Sequence, residues 1–285
     1  MNAHQKNAYY KYRPLYQWGS VGREPHPFTR SLIKDAEIFY SAPKDFNDPF
    51  DCNLRIHVND STDADWERYC DQLSAENPSR KAQMDEGKAR KLWRTVPELS
   101  QDVGQENLRI NQLSSVFCLS KKRNSIPMFS YYADNHRGVA VEFEFSDVEI
   151  PCGFAVEDTN NRGVPYGGKI ILDDVKYPPV FPDLNYHRLR GTRALIENSI
   201  FTKHHEWAHE DEIRIFRRAV PAGVVQFEKR LLTRVIFGCN TTPEDVALVK
   251  TWLTDWPSDV VLSKAEKATA QFDLAVVDFD SVAGS

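Results

Sequence analysis

The sequence predicts an α+β fold built on a mixed, mainly antiparallel sheet. Segments with the apolar and polar alternation of strands recur along the chain, and helical segments fall between them without a regular βαβ order. At 285 residues, with 41% hydrophobic and 27% charged residues, the chain is long and apolar enough to bury a large core. We therefore expect one α+β domain over residues 1–285, with a helical insertion at about 62–111.

Strands are predicted wherever short β-type runs stand between turn residues. The first such run, at 9–13, ends at Pro14. The segment GVAVEFEF at 138–145 alternates apolar and polar residues, as a strand with one solvent-exposed face does. The remaining predicted strands are 37–41, 114–120, 169–177, 212–217, 231–237 and 272–279.

Helices are predicted from apolar residues at helical spacing. One begins near Pro27, a short turn covers 126–133, and longer helices cover 185–203 and 243–253. Between 62 and about 110 the composition shifts to charged residues, Gln and Ala with scattered Trp and Leu. This shift indicates two or three amphipathic helices in the insertion.

The charge and hydropathy of the chain disfavour several classes of protein. The net charge of −5 is unlike that of a basic nucleic-acid coat, so any contact with nucleic acid would be local. No apolar run of about 18 residues is present, and the polar first residues are unlike a secretory signal. The five cysteines are odd in number, widely spread and never in a CxxC, as expected of reduced thiols. We expect a cytoplasmic protein without a membrane partner.

Several familiar catalytic signatures are absent from the sequence. There is no GxGxxG after a strand, no GxxxxGK[ST], no GxSxG and no EF-hand loop. Rossmann-type dinucleotide binding, P-loop hydrolysis and α/β-hydrolase chemistry are therefore disfavoured.

A literal HExxH occurs at 205–209. On a helix, His205 and His209 would share one face for Zn²⁺ with Glu206 as general base, and Glu228 could supply a third ligand. The motif instead runs directly into a predicted strand, whereas such ligands need a firm mid-helix position. We favour exposed histidines at a helix C-terminus and expect no metal.

An E-x-E pair, Glu210 and Glu212, stands at the entrance of the strand EIRIFR. Within that strand Glu212 and Arg214 point to the same face. Such a pair can bind a ribose hydroxyl and stabilise an oxocarbenium-like centre while a glycosidic bond breaks. The alternative is a solvated strand face on which Arg214 pairs with a carboxylate.

Two further segments could contribute to a site. FNDPFD at 46–51 is either an Asx-turn structure or a ligand-contacting loop. In PMFSYYADNHRG at 127–138, Phe129, Tyr132 and Ala133 recur at helical spacing and are expected to pack in the core. His136, at the following turn, is a better candidate for a polar contact, together with Arg137 and Gly138.

Four motifs in order resemble an uncharacterised bacterial family, a domain of unknown function. They are YKYR at 10–13, FYSAPKDFNDPFDC at 39–52, CLS at 118–120 followed by MFSYYADNHRG at 128–138, and the set Lys203, Trp207, Glu210, Glu212 and Arg214. This chain has Phe129 and Tyr131 where the family usually has Trp and His. His205 and His209 are not part of the family pattern.

The order of these elements is also similar to that of DNA-modifying ADP-ribosyltransferase toxins. That resemblance implies a split sheet, NAD as substrate, a nucleic acid or protein acceptor, and a toxin or phage-defence role. It implies that Arg13 or Tyr12 holds NAD, that Tyr132 and Phe129 stack on nicotinamide, and that Glu212 is catalytic. The chain has no clear STS element.

The expected function is accordingly an ADP-ribosyltransferase-like enzyme that cleaves the nicotinamide–ribose bond of NAD. The alternatives are a zinc-dependent hydrolase using His205, Glu206 and His209, and a non-enzymatic nucleotide-sensing or binding module. The expected catalytic residues are Glu212, Glu210 and Arg214. The expected cofactor-binding residues are Tyr12, Arg13, Asn47, Asp48, Phe129, Tyr132 and His136.

Overall fold

The fold is described from a computed structural model of the chain. It covers residues 6–19, 23–53, 56–89, 110, 112–146, 150–151, 170–190, 192–256 and 259–282. Residues 90–109 and 111 of the predicted insertion lie outside this set.

The centre of the fold is an eight-stranded, mixed and mostly antiparallel sheet. Its strands are β1 (Asn7–Arg13), β3 (Ser115–Ser120), β4 (Val139–Phe145), β5 (Ile170–Asp174), β6 (Glu212–Arg217), β8 (Leu232–Phe237), β9 (Val260–Lys267) and β10 (Leu274–Val282). Their order across the sheet is β10-β9-β8-β4-β1-β3-β6-β5. The pairing of β8 with β9 is parallel. A separate antiparallel pair joins β2 (Glu37–Tyr40) to β7 (Gly223–Gln226).

The α-helices of the described chain are short and lie around the sheet. They are α1 (Pro27–Arg30), α2 (Asp63–Glu76), α3 (Lys81–Ala89), α4 (Ile126–Tyr132), α5 (Tyr186–Leu189), α6 (Arg193–Ile200) and α7 (Pro243–Leu253). A π-helical turn covers Ser31–Asp35, and 3₁₀ turns cover Pro43–Asp45, Pro78–Arg80, His205–Glu210 and Lys229–Leu231. Within the described residues, no helix has the length and apolar character needed to cross a membrane.

The two faces of the sheet are buried differently. On one face, alternate residues of β1, β3, β4, β6 and β8 enter a single large cluster that also receives α7. On the other face, one cluster covers the β3–β6 half, where α2 and α6 pack. A third cluster covers the β1–β4–β8 half, where Phe129 of α4 packs. The second face therefore has an apolar cluster on each side of the line between β1 and β3.

Strands β1 and β3 barely pair. Their only registered partners are Tyr10 and Ser120, whereas β1 pairs with β4 along its whole length. At Val116 the free edge of β3 pairs instead with Ser41, through hydrogen bonds of 2.9 and 3.0 Å. The sheet is thus split between its two central strands, and backbone groups lining the split find partners outside the β1–β3 ladder.

A run of left-handed residues follows α4. Asp134, Asn135 and His136 have φ values of 46°, 51° and 65°, a conformation that disfavours branched side chains. The turn ends at Gly138, where an added Cβ would lie 2.2 Å from the Arg13 carbonyl oxygen. At Gly238 a Cβ would lie 2.3 Å from the His136 carbonyl oxygen. These two glycines let the turn pack directly against β1 and β8.

The observed elements agree with most of the predictions, and the α+β class is confirmed. The helix 243–253 matches α7, and the strand 212–217 matches β6. The predicted helix 185–203 is instead two short helices, because the chain leaves the helix at Arg190 (ψ 134°) and begins again after Thr192. Strands β7 and β9 were not predicted. The part of the insertion that is described contains α2 and α3, and α2 packs into the core through Trp66 and Tyr69.

Replacing Gly238 with Ala is expected to destabilise the fold, because its Cβ would collide with rigid backbone. We expect the free energy of unfolding in urea to fall by about 1–3 kcal/mol or more. Gly223→Ala is the matched control, since a Cβ there meets nothing within 4 Å. Equal stability of the two variants would contradict the close approach of the turn to β8.

Candidate active site

A cleft of about 410 Å³ opens where β1 and β3 part. One wall consists of residues 10–14 of β1 and its continuation, and the facing wall contains Val116 and residues 118–120 of β3. The FNDPFD loop, α4 and the entrance of β6 close the remaining sides. The volume lies in the range typical of small-molecule sites.

The E-x-E pair is held at the junction of a 3₁₀ turn and β6. The turn His205–Glu210 ends at Asp211, whose left-handed conformation (φ 44°) redirects the chain into the strand. The backbone N–H of Glu212 donates to the Tyr177 hydroxyl (2.9 Å), and the Ser120 hydroxyl donates to the Glu210 carbonyl (2.6 Å). Both glutamates are buried and both line the cleft.

Arg214 connects β6 to the FNDPFD loop. Its guanidinium is fully buried and donates two bonds to Glu212 (2.9 Å each) and two to Asp51 (2.8 and 2.6 Å). It also donates to the Ile200 carbonyl at 2.5 Å. The fork geometry of arginine suits such paired carboxylates. Glu212 is therefore fixed in direction by two bonds from one rigid group.

Glu210 belongs to a second, adjoining network. Its carboxylate accepts hydrogen bonds from the Tyr132 hydroxyl (2.5 Å) and from the Lys203 ammonium (2.7 Å). Asn47 lines the same cleft as Tyr132. Lys203 reaches Asp51 as well, at 3.5 Å. Because Asp51 also pairs with Arg214, a continuous polar chain runs from Tyr132 to Glu212 and ties together three segments that are distant in sequence.

The charge state of Glu212 follows from this arrangement. Burial opposes ionisation of the carboxyl, but the charge and hydrogen bonds of Arg214, together with Lys203, hold its pKa below the ordinary value of 4.5. Glu212 is therefore a carboxylate at neutral pH. A fixed negative charge faces the cleft from β6.

The opposite wall contains two cations that lack a carboxylate partner among the described residues. Lys11 donates to the Cys118 carbonyl at 2.8 Å, and the Arg13 Nε is buried without a hydrogen-bond partner there. Burial, followed by the neighbouring Arg13, lowers the pKa of Lys11 to about 8, and burial lowers that of Arg13 to about 10. Such desolvated cations favour an anionic ligand.

The structure brings most of the predicted site residues together. Those that line the cleft are Tyr12, Arg13, Asn47, Tyr132, Glu210 and Glu212. Arg214 lies behind the cleft surface and acts on it through Glu212. The alternative prediction, a solvated face of β6 carrying Glu212 and Arg214, is wrong, because every residue of β6 is buried.

Three predicted cofactor contacts lie elsewhere. Phe129 is fully buried beneath the cleft, where its ring packs edge-on against Tyr12 at 4.9 Å, so it cannot stack on a ligand. His136 is turned away by the left-handed turn and bonds the Ser130 hydroxyl (3.0 Å). Asp48 lines a neighbouring groove, where its Oδ1 accepts a bond from the Phe50 N–H (2.9 Å).

The HEWAH segment is not a mid-helix pair of ligands. It forms the 3₁₀ turn, in which residues four apart are about 120° apart around the axis. His209 Nδ1 contacts the Glu206 carbonyl oxygen at 3.0 Å. This geometry disfavours the zinc hydrolase alternative.

One group with metal-ligating spacing occurs among the described residues: His57, Asp60 and Asp183. Arg188 already pairs with both of these carboxylates, at 3.1 and 2.8 Å. The group is therefore accounted for as a surface ion-pair network.

Sequence reasoning did not select Lys11, Asp51, Lys203 or Ser120 as site residues. Lys11 could have been found, because Tyr9, Lys11 and Arg13 share the same parity in a strand flanked by aromatic residues. Asp51 and Lys203 stand inside the recognised motifs. The pairing of Asp51 with Arg214 spans more than half the chain and leaves no local signal, whereas Lys203 is only seven residues from its partner Glu210.

A comparison with protein families finds a match that covers part of the chain and part of this site. Residues 128–215 match a family described as a protein of unknown function (DUF2971). This confirms the expected resemblance to a domain of unknown function over that range, which includes Tyr132, Glu210, Glu212 and Arg214. Arg13 and the FNDPFD loop lie outside it. No curated protein and no solved structure matches the chain.

Removing the buried guanidinium of Arg214 is expected to lower the stability of the fold. Arg214→Met would leave Asp51 and Glu212 buried without their partner, so the free energy of unfolding should fall by about 3–5 kcal/mol. Arg193→Met is the matched control, because Arg193 also bridges two carboxylates, Asp173 and Glu197, but is exposed. That control should cost at most about 1 kcal/mol per pair. Similar losses in urea denaturation would contradict a special role for Arg214.

Acid should expose the contribution of Glu212 to stability. Because its pKa is depressed in the folded state, its contribution is present above the unfolded value near 4.5 and disappears as pH falls through the lower folded pKa. The difference in unfolding free energy between wild type and Glu212→Gln should therefore be largest above about pH 4.5 and shrink below it. A difference that grows on acidification would show that the folded pKa is raised.

Proposed function

We propose that the protein is an ADP-ribosyltransferase-like enzyme that cleaves the bond between nicotinamide and ribose in NAD. The observation that supports the proposal is that two facing walls of one cleft have opposite charges. Glu212 supplies a fixed carboxylate on one side, and Lys11 with Arg13 supplies, on the other, buried positive charge that forms no ion pair with a carboxylate among the described residues. NAD presents complementary groups, an anionic pyrophosphate and a ribose that becomes cationic during the reaction.

The chemistry would proceed by loss of neutral nicotinamide from ribose C1′. The C–N bond electrons leave with the nicotinamide nitrogen, which loses its positive charge, and the ribose takes up oxocarbenium character. A carboxylate held near that centre stabilises the transition state, and prior orientation by Arg214 removes the need for reorganisation. The acceptor then attacks C1′ and loses a proton.

Three other cleft residues have roles in this proposal. The Tyr132 ring lines the cleft and its hydroxyl is held by Glu210, so the ring can pack against nicotinamide. Glu210 stands two residues before β6 and is suited to contact the acceptor. Lys11 and Arg13 would bind the pyrophosphate.

The acceptor class and setting rest on resemblance alone. Nucleic acid and protein side chains both remain acceptors in the proposal, as does a toxin or antiviral-defence role. A cytoplasmic location belongs to the same proposal, because NAD is an intracellular metabolite. A nucleotide-binding module without turnover is the second candidate, since both Glu212 oxygens already accept bonds from Arg214.

Nicotinamide release by the purified protein tests the proposal. Wild type should release nicotinamide from NAD when DNA, RNA or protein acceptors are supplied. Glu212→Gln should lower the rate by at least about 10²-fold, because the neutral amide no longer stabilises the ribose cation. Glu144→Gln, an exposed glutamate on β4, is the control and should retain the wild-type rate.

Calorimetric titration with NAD separates the two candidates. If wild type binds NAD without releasing nicotinamide with any acceptor, the protein is a binding module. If it neither binds nor cleaves NAD, the cleft serves another ligand. Full activity in Glu212→Gln would remove this residue from the mechanism.

A further inference from the structure

A second groove of about 640 Å³ lies beside the cleft and shares Lys203 with it. Its walls are aromatic and proline side chains, chiefly Phe50, Pro178, Pro179, Phe181 and Trp207. The Phe50 and Phe181 rings meet edge to face with centroids 5.5 Å apart. They are 57% and 61% exposed, so the groove presents a contiguous pair of aromatic rings to solvent.

Asp48 gives this apolar groove an acidic component. It lines the groove but is only 6% exposed. Its Oδ1 accepts the bond from the Phe50 N–H, whereas its Oδ2 is shielded from solvent and has no hydrogen-bond partner in the described part of the chain. A buried carboxylate oxygen without a donor is costly and uncommon. The missing partner is therefore a hydrogen-bond donor.

Lys203, a cation that lines the groove, is already paired with other groups. The Lys203 ammonium bonds Glu210 at 2.7 Å and lies over the Trp207 ring, 4.5 Å from its centroid. A second carboxylate, that of exposed Glu206, also lines the groove, 3.9 Å from His204 Nδ1. The groove thus combines flat aromatic walls with an excess of carboxylate groups.

We propose that this groove binds an arginine side chain presented by a partner polypeptide. A guanidinium is planar and stacks on aromatic rings, and its several N–H groups can bond a carboxylate. Lysine lacks the flat face, and a nucleic acid would bring phosphates towards Asp48 and Glu206. Rotation of Phe50 and Phe181 would admit the guanidinium to Asp48 Oδ2. The proposal stands independently of the NAD chemistry.

Calorimetric titration of the full chain with short peptides tests this inference. A blocked pentapeptide with one arginine between alanines should bind with a Kd of about 1 mM or tighter. Peptides with lysine or neutral citrulline at the same position should bind at least about tenfold more weakly. Asp48→Asn, which keeps an oxygen for the Phe50 N–H, should weaken the arginine peptide by a similar factor.

Two further variants keep the test decisive if Asp48→Asn fails to fold. Phe181→Ala removes an exposed wall of the groove and should also weaken the arginine peptide. Phe272→Ala, a fully exposed aromatic residue outside the groove, should leave binding unchanged. Absence of binding, equal binding of the three peptides, or wild-type affinity in Phe181→Ala would each overturn the proposal. Binding of an oligonucleotide in the groove in place of the peptide would overturn it as well.

Discussion

The buried Arg214 guanidinium is the interaction on which the site depends. It joins the FNDPFD loop, through Asp51, to the entrance of β6, through Glu212, and it also caps the end of α6 at the Ile200 carbonyl. A charge that is wholly removed from water needs such complete pairing, because desolvation would otherwise outweigh the attraction. The same pairing holds the Glu212 carboxylate ionised. Stability and the electrostatic character of the cleft therefore have a common origin.

The split between β1 and β3 is the second constraint. A continuous ladder would have closed the centre of the sheet, but these strands pair only at Tyr10 and Ser120. Bonds from Lys11 to Cys118 and between Ser41 and Val116 satisfy backbone groups that the ladder leaves open. The cleft is thus a gap in the sheet whose edge backbone groups are hydrogen-bonded to other partners. It lies between two apolar clusters that fix the position of its walls. Such rigid walls suit a site in which charges must be held in advance.

The cleft and the adjoining groove differ in their chemistry although they share Lys203. Cations without carboxylate partners on β1 favour an anionic ligand in the cleft. Unsatisfied Asp48 and exposed aromatic rings favour a cationic, planar group in the groove. Lys203 is paired to Glu210 and Asp51 between the two. This separation of charge gives two ligands of opposite sign distinct places on one surface.

Local sequence patterns were enough to predict the α+β class, the strand EIRIFR and the helix 243–253, and to select FNDPFD and the E-x-E pair as candidate site segments. These features depend on local periodicity, on turn residues and on motif content, all of which are written in adjacent residues. The pairing of Arg214 with Asp51, the position of Phe129 beneath the cleft and the turning of His136 away from it became visible only in the folded chain. Strand β9 also escaped prediction, and its parallel partner β8 is separated from it in sequence by α7. Pairing across the chain is set by packing and by charge neutralisation in the folded state, and local sequence carries little record of either.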